Sequence, residues 1–380
     1  MRKLLPLLLC TFWLTSTGQD LKLSPQARVS LITCGPWQGE LYSAFGHSAI
    51  RVYDPILQID LAFNYGTFDF NQPNFYLNFA RGRNLYRLSV QDYPMFRDFY
   101  VSYNRFIHEQ VLNLDAGRKD RLFAFLQNNS LPANRSYYYD YFYDNCSTRP
   151  RDVIKAVLGD SVVFDADPPY LEGHSIRDLT DLYLQQQPWG DLGIDICLGL
   201  PMDKTASATE YMFLPDYLET GFDLATVTTP EGRQPLVLEK NIVYEQLPEP
   251  QAVAWTHPWV VFGTLFLITL WLTWGKTTSA ASWIDRGLFL LTGMIGLMLA
   301  LLWFVTDHRA AAWNFNLLWA MPLNLLFPFL VAEKRKKYFK AMTLLTAALL
   351  VTWAVLPQAL NPFLIPLVAA LACRYWANSR

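Results

Sequence analysis

Two side chains of the 380-residue chain stand out as reactive: Cys146, in "DNCSTRPRDV", and His47, in "GELYSAFGHSAIRV". The cysteine comes just before a stretch that reads as a helix over about 150–158, with Pro150 tolerated in its first turn. A thiol in that place feels the positive end of the helix dipole and the unpaired N–H groups of the first turn, so its thiolate is favoured. The same N–H groups would suit an oxyanion. Such a nucleophile needs a base, and an imidazole has the matching proton affinity. Of His47, His108 and His174, the first has the best context: it opens a strand and follows Gly46, which permits close approach of another segment. His108, in "NRFIHEQ", fits an amphipathic helix and a structural role. His174, in "LEGHSIRD", lies among turn and cap residues and is the weaker candidate base.

The elements that must carry these residues begin with strands. "RVSLITC" alternates around Val29, Leu31 and Thr33, and "SAIRVYD" and "IDLAFNYGTF" follow, separated by the turn pair Asp54-Pro55. Helical spacing then takes over, with Met95, Phe96, Phe99, Tyr100, Tyr103 and Phe106 on one apolar face. A second helix fits Asp115–Gln127, with Leu122, Phe123 and Leu126 inward. Residues 160–250 read as irregular structure with short helices and a late strand in "PLVLEKNIVYE". Strands before helices make this part α+β.

With 52% hydrophobic residues, the chain is too apolar for a purely soluble protein, and a net charge of −2 leaves no Lys/Arg surplus for tracking phosphates, which excludes nucleic acid as a partner. Arg2 and Lys3, the apolar run Leu4–Leu14 and the small residues to Gly18 read as a signal peptide over 1–18. After Pro250 come apolar centres at Trp255–Trp274, Leu288–Val305, Leu317–Val331, Met342–Leu356 and Pro362–Ala372, read as about five membrane spans. The last is interrupted by Pro362 and Pro366. Lys276 and Arg286 in the first loop, Lys334–Lys337 in the third, and Arg374 and Arg380 at the end put these on the cytoplasmic side. The expected organisation is a signal peptide 1–18, an outer catalytic domain 19–250 and a membrane domain 251–380. His257 and the pair Asp307-His308 fall near the outer interface, where they snorkel or meet a lipid headgroup. Export leaves Cys34, Cys146 and Cys197 in an oxidising compartment; three cannot pair completely, so at least one is a free thiol. No metal-ligand spacing or nucleotide loop is visible, and no cofactor is expected.

"GELYSAFGHSAIRV", "FNYGTFDFNQPNF", "YNRFIHEQVLNL" and "YYYDYFYDNCSTRPRDVI", in this order and ahead of a multi-span domain, resemble the bacterial Lnb family of lipoprotein N-acyltransferases from about residue 25 to the end. A histidine strand first and an Asn-Cys helix later is also similar to circularly permuted papain-like (NlpC-like) folds such as lecithin:retinol acyltransferase. The resemblance implies a permuted papain-like domain, an all-α membrane bundle, and a multi-pass protein of the bacterial inner membrane with a periplasmic catalytic domain and a cytoplasmic C-terminus. It implies acylation of the α-amino group of the diacylglyceryl-cysteine of a diacylated lipoprotein, with a phospholipid as acyl donor. Cys146 becomes the nucleophile and His47 the base, and the imidazole-orienting residue is Asn64, with Tyr65 and Asp69 as rivals.

A thioester on Cys146 would need water excluded. Tyr137, Tyr138, Tyr139, Tyr141, Phe142 and Tyr143, with "FNYGTFDF", are candidates to line an acyl groove, although ordinary packing accounts for many of them. Substrate contacts fall to Tyr65 and Tyr141. Among Arg51, Arg81, Arg83, Arg149 and Arg151, Arg149 beside the cysteine and Arg83 in "ARGRN" are the candidates for a donor phosphate. Two rivals remain at this level: a cell-envelope cysteine peptidase or amidase, and a non-enzymatic receptor or assembly factor in which Cys146 is disulfide-bonded to Cys34 or Cys197.

Overall fold

Alternation of side chains decides what each early strand faces. In β1 (Arg28–Cys34), Val29 and Leu31 enter one hydrophobic core and Ile32 and Cys34 another, so the strand is buried on both faces. A computed structural model describes residues 21–164, 173–248, 256–275 and 278–380; the expected signal peptide lies outside them. β1 pairs with β2 (His47–Asp54), which pairs with β3 (Ile59–Thr67), all antiparallel. Then follow α1 (Phe75–Arg81), β4 (Asn84–Asp92), α2 (Tyr93–Ser102), β5 (Ile107–Leu112), α3 (Ala116–Ser130), β6 (Ser136–Tyr139) and α4 (Thr148–Leu158). Further on come β7 (Val162–Val163), α5 (Ile176–Leu184), α6 (Pro188–Cys197), α7 (Ala208–Tyr211), α8 (Pro215–Leu224), β8 (Thr226–Thr229), β9 (Gly232–Pro235) and β10 (Val237–Tyr244). The main sheet has the order β10-β5-β1-β2-β3-β4-β6, and β7-β8-β9 form a small second sheet.

One face of the main sheet packs on α3, α4 and α8 through Leu122, Phe123, Leu126, Val153, Ile154, Leu218 and Phe222. The other packs on α2 through Tyr93, Phe96 and Tyr100. Only Phe96 and Tyr100 of the expected apolar face of α2 are buried; Met95 and Phe99 are exposed, and Phe106 lies beyond the helix. His108 is on β5 rather than a helix, because Glu109, Gln110 and Val111 next to it pair with β1.

The C-terminal body contains α9 (Pro258–Trp274), α10 (Thr278–Phe304), α11 (Ala332–Thr352) and α12 (Ile365–Ser379). Between α10 and α11 the third apolar stretch forms 3-10 turns at Phe315–Leu318 and Pro322–Phe329 instead of a continuous α-helix, with Pro328 inside the second. Non-α backbone in such a body must be covered by protein. The cover is α10: a Cβ on Gly296 would lie 1.8 Å from the Ala320 carbonyl oxygen, so only glycine admits this approach. Asn324 then closes the gap, donating to Thr292 Oγ1 at 3.0 Å and accepting from the Tyr338 hydroxyl at 2.6 Å.

The two bodies meet at one end of the bundle. Asn316 Nδ2 donates to the Asp195 carbonyl, the Ala359 N–H to Asp203 Oδ1 at 2.8 Å, and Arg83 Nε to Asp307 Oδ2 at 2.7 Å. At the opposite end Lys336 Nζ donates to the Arg380 carbonyl at 2.6 Å. Buried Arg177 holds the loops beneath the sheet body together through Asp195, Asp203 and the Leu198 carbonyl. A buried guanidinium requires this full set of acceptors.

Candidate active site

His47 and Asn64 lie on the α2 face of neighbouring strands, near their ends. His47 Nε2 donates to Asn64 Oδ1 at 2.6 Å. A carboxamide oxygen can only accept, so the ring carries its proton on Nε2 and leaves the Nδ1 lone pair for the thiol. The ring is also held flat against Tyr100, with centroids 6.0 Å apart and planes inclined by 14°. Gly46, at φ +83°, provides the turn into this strand; a Cβ there would lie 2.9 Å from the Cys34 carbonyl oxygen.

Cys146 is brought to His47 by the start of α4. Asn145 is buried, and its Oδ1 accepts from the N–H groups of Ser147 (2.8 Å) and Thr148 (2.9 Å) while its Nδ2 donates to the carbonyls of Tyr141 (2.8 Å) and Phe213 (2.7 Å). The Thr148 hydroxyl returns an acceptor to the Asn145 N–H at 2.8 Å. The sequence reading missed Asn145, although asparagine before a helix is a standard capping signal. Its capping also corrects an expectation: the first N–H groups of α4 are taken by Asn145 and do not face an oxyanion. Gly66 makes room from the other side, since a Cβ there would lie 3.3 Å from Cys146 Cβ.

Burial alone would raise the Cys146 thiol. The His47 charge, hydrogen bonds from His47 and the Ser147 hydroxyl, and the Ser48 N–H outweigh it, so the thiol is held below its ordinary range. Cys34, whose register partner is His47, goes the other way because burial dominates. Cys34, Cys146, Cys197 and Cys373 are all free, and among the described residues no disulfide ties down Cys146.

Tyrosines enclose the thiol. Burial pushes the hydroxyls of Tyr100, Tyr137, Tyr139 and Tyr141 far above the usual phenol range, and each interacts electrostatically with Cys146. They are therefore neutral. The Tyr141 ring packs edge-on against Phe45 at 5.2 Å, and its hydroxyl is buried without a hydrogen-bond partner among the described residues.

Other expected site residues are placed elsewhere. Tyr65 alternates with Asn64 and so points to the opposite face, where its hydroxyl donates to Asn129 Oδ1 at 2.6 Å in the core. This places its side chain in the core, away from His47 and Asn64. Asp69 is exposed and turns toward the Asn71 N–H. Arg149 is paired with Asp144 through two donors and lies over the Tyr137 ring at 3.9 Å, so its fork is already filled. Arg83 pairs with Asp307, and Arg51 with Asp60 and Glu109. His108 is bonded to Glu219 at 3.1 Å, which raises its affinity for a proton.

His174 lines a separate cavity of about 780 Å³ with His257, Asn361 and the carboxylates of Asp181, Asp191 and Asp195. The three carboxylates have oxygens within 4.8 Å of one another and could hold a cation. Asn361 and Arg177 already supply donors to Asp191 and Asp195. Burial and the neighbouring carboxylates push Asp181 up to about 9 and Asp191 to about 6.

Residues 20–180 match the Lnb N-terminal periplasmic domain and residues 250–380 match the Lnb transmembrane domain. No curated protein and no solved structure matches the chain.

Proposed function

The chain belongs to the Lnb family, a group with a periplasmic and a transmembrane domain, and we propose that it is a lipoprotein N-acyltransferase working through a thioester on Cys146. The acceptor is the α-amino group of the diacylglyceryl-cysteine of a lipoprotein, and the donor is a phospholipid. The observation that carries this reading is a thiol biased toward thiolate by an Asn64-oriented imidazole inside a wall of neutral, buried tyrosines.

In this mechanism His47 Nδ1 takes the Cys146 proton, and the thiolate attacks an ester carbonyl of the donor. Tyr141, whose buried hydroxyl lacks a partner among the described residues, is assigned as oxyanion donor. Collapse breaks the ester C–O bond, and the leaving alkoxide takes the proton from His47. The acceptor amine then attacks the thioester, His47 removes the amine proton, and the thiolate is expelled to restore the starting pair. Asn64 keeps the ring in one tautomer throughout. The permuted papain-like arrangement fits this chemistry: histidine strand, orienting residue on the next strand, cysteine at a later helix.

In this reading the domain works in the periplasm against the inner membrane. The Lys334–Lys337 run and Arg380 gather at the end of the bundle away from the sheet body, and positive charge there favours a cytoplasmic C-terminus. Four α-helices and the 3-10 segment then make five passes. The test is N-acylation of a synthetic diacylglyceryl-cysteine peptide by the full chain in proteoliposomes, against Cys146→Ala. Cys146-dependent amide formation is expected; Cys146-dependent cleavage of peptides without acyl transfer would replace this reading with the peptidase.

A further inference from the structure

Beside the site, α1 is apolar where soluble helices are not. Tyr76 is 76% exposed, Leu77 49% and Phe79 52%, and Phe70 in the preceding turn is 53% exposed. A cluster of large apolar residues on so short a helix marks a surface that meets another phase. Its position says which phase. The Arg81 carbonyl accepts from the Asp307 N–H at 2.9 Å, the Phe79 carbonyl from His308 Nε2 at 3.0 Å, and Arg83 pairs with Asp307. A Cβ on Gly82 would lie 3.1 Å from the Asp307 backbone, so α1 is tied closely to this turn. The turn directly follows the end of α10, a helix long and apolar enough to cross a membrane, whose Phe304 is 70% exposed and is followed by Val305 at 71%.

The apolar face of α1 is thus anchored to the end of a lipid-facing helix. Arg81, Arg83 and Arg309 are exposed around the junction, at the level where phosphate headgroups would lie. We propose that α1 and the turn carrying Phe70 dip into the outer leaflet of the bilayer, as an in-plane interfacial element rather than a span.

Aromatic rings lead inward from that face. Phe79 stacks near Phe75 (6.5 Å), Phe75 on Phe68 (6.1 Å), Phe68 on Tyr86 (5.0 Å) and Tyr86 on Tyr139 (4.3 Å). Tyr139 in turn borders Gly66, which touches Cys146, and it also lines a groove of about 1160 Å³ shared with Trp303 and His308. The series joins the leaflet face to the wall of the thiol site by aromatic contacts, and an acyl chain that followed it would arrive beside Cys146. This use of the route rests on the acyl-transfer reading, whereas the bilayer contact does not.

The test is photo-crosslinking of the full chain in nanodiscs doped with a phosphatidylcholine that carries a diazirine in its acyl chain, with adducts located by tandem mass spectrometry. Adducts on Tyr76–Phe79 are expected at a yield within about threefold of that on Phe304 and Val305, which serve as internal standard. Leu77→Glu with Phe79→Glu is expected to lower the α1 yield at least fivefold and leave the α10 yield unchanged. Labelled Phe304 and Val305 with unlabelled α1, or α1 labelling that the double variant does not change, would overturn the proposal. The labelling is expected to be equal in Cys146→Ala, so its failure is separable from failure of the acyltransferase reading.

Discussion

Replacing Asn64 by alanine removes the acceptor that His47 Nε2 reaches at 2.6 Å. A hydrogen bond to a group that becomes charged contributes about 1.5–3 kcal/mol. At about 1.4 kcal/mol per factor of ten, kcat/KM for amine acylation should fall about 10- to 150-fold. The loss stays within that range because Tyr100 still stacks on the imidazole and keeps it from swinging away. The pH profile supplies a second readout. The Cys146 thiol lies below its ordinary range because the His47 charge and its hydrogen bonds overcome burial. A less stable imidazolium weakens that effect, so the thiol rises and the acid limb of the profile moves to higher pH. Asn64→Asp, which still accepts, should recover most of the rate, and Asn64→Leu should not. The assay is acylation of a fluorescent diacylglyceryl-cysteine peptide in proteoliposomes, measured across the thiol's ionisation. An Asn64→Ala enzyme with unchanged kcat/KM and an unmoved acid limb would refute the orienting role.

His47→Gln removes the charge and hydrogen bond that do most to oppose burial of Cys146 and leaves only the Ser48 N–H and the Ser147 hydroxyl, so iodoacetamide labelling of this thiol at neutral pH should drop and its midpoint move upward, with Cys34 unlabelled in both proteins; peptide mapping over a pH series checks this. Tyr141→Phe should lower kcat about 100- to 1000-fold with little change in KM, the loss expected for one oxyanion donor; a KM effect alone would assign Tyr141 to substrate binding instead. Asn145→Ala removes a helix cap and leaves the Tyr141 and Phe213 carbonyls without their donor. Together these cost about 3 kcal/mol, which calorimetry should register as a fall of about 6–12 °C in the unfolding temperature of the outer domain.

The legible parts of the site were those encoded in local chemistry. His47 at a strand start, Cys146 before a helix, and strands over "RVSLITC" and "SAIRVYD" all follow from spacing and turn residues, and the structure pairs the two strands in register. Asn64 stood against Tyr65 and Asp69; once β3 is placed, strand alternation puts Tyr65 on the opposite face, and Asp69 falls beyond the end of the strand in an exposed turn, so Asn64 is the one of the three that meets His47. What stayed hidden depends on residues distant in sequence. Nothing near Arg83 announces Asp307, which lies in the C-terminal body. The pairing of Glu109 and Gln110 with β1 makes "FIHEQ" a strand although its spacing also suits a helix. In the third apolar stretch, hydropathy registers length and composition, whereas Pro328 and the close approach at Gly296 select the 3-10 backbone. The carboxylates of half-buried Asp181 and Asp191 and buried Asp195 come together only when α5 and α6 pack, with Asn361 reaching Asp191 and Asp195 from the other body.

The central claim is a covalent acyl group on Cys146, and intact-mass spectrometry of the full chain after incubation with phospholipid tests it most directly. The account predicts an added acyl mass that hydroxylamine removes, present in the wild type and absent from both Cys146→Ala and His47→Ala. A wild-type chain that acylates the lipopeptide amine without ever carrying that mass, or an adduct that persists in Cys146→Ala, would contradict it.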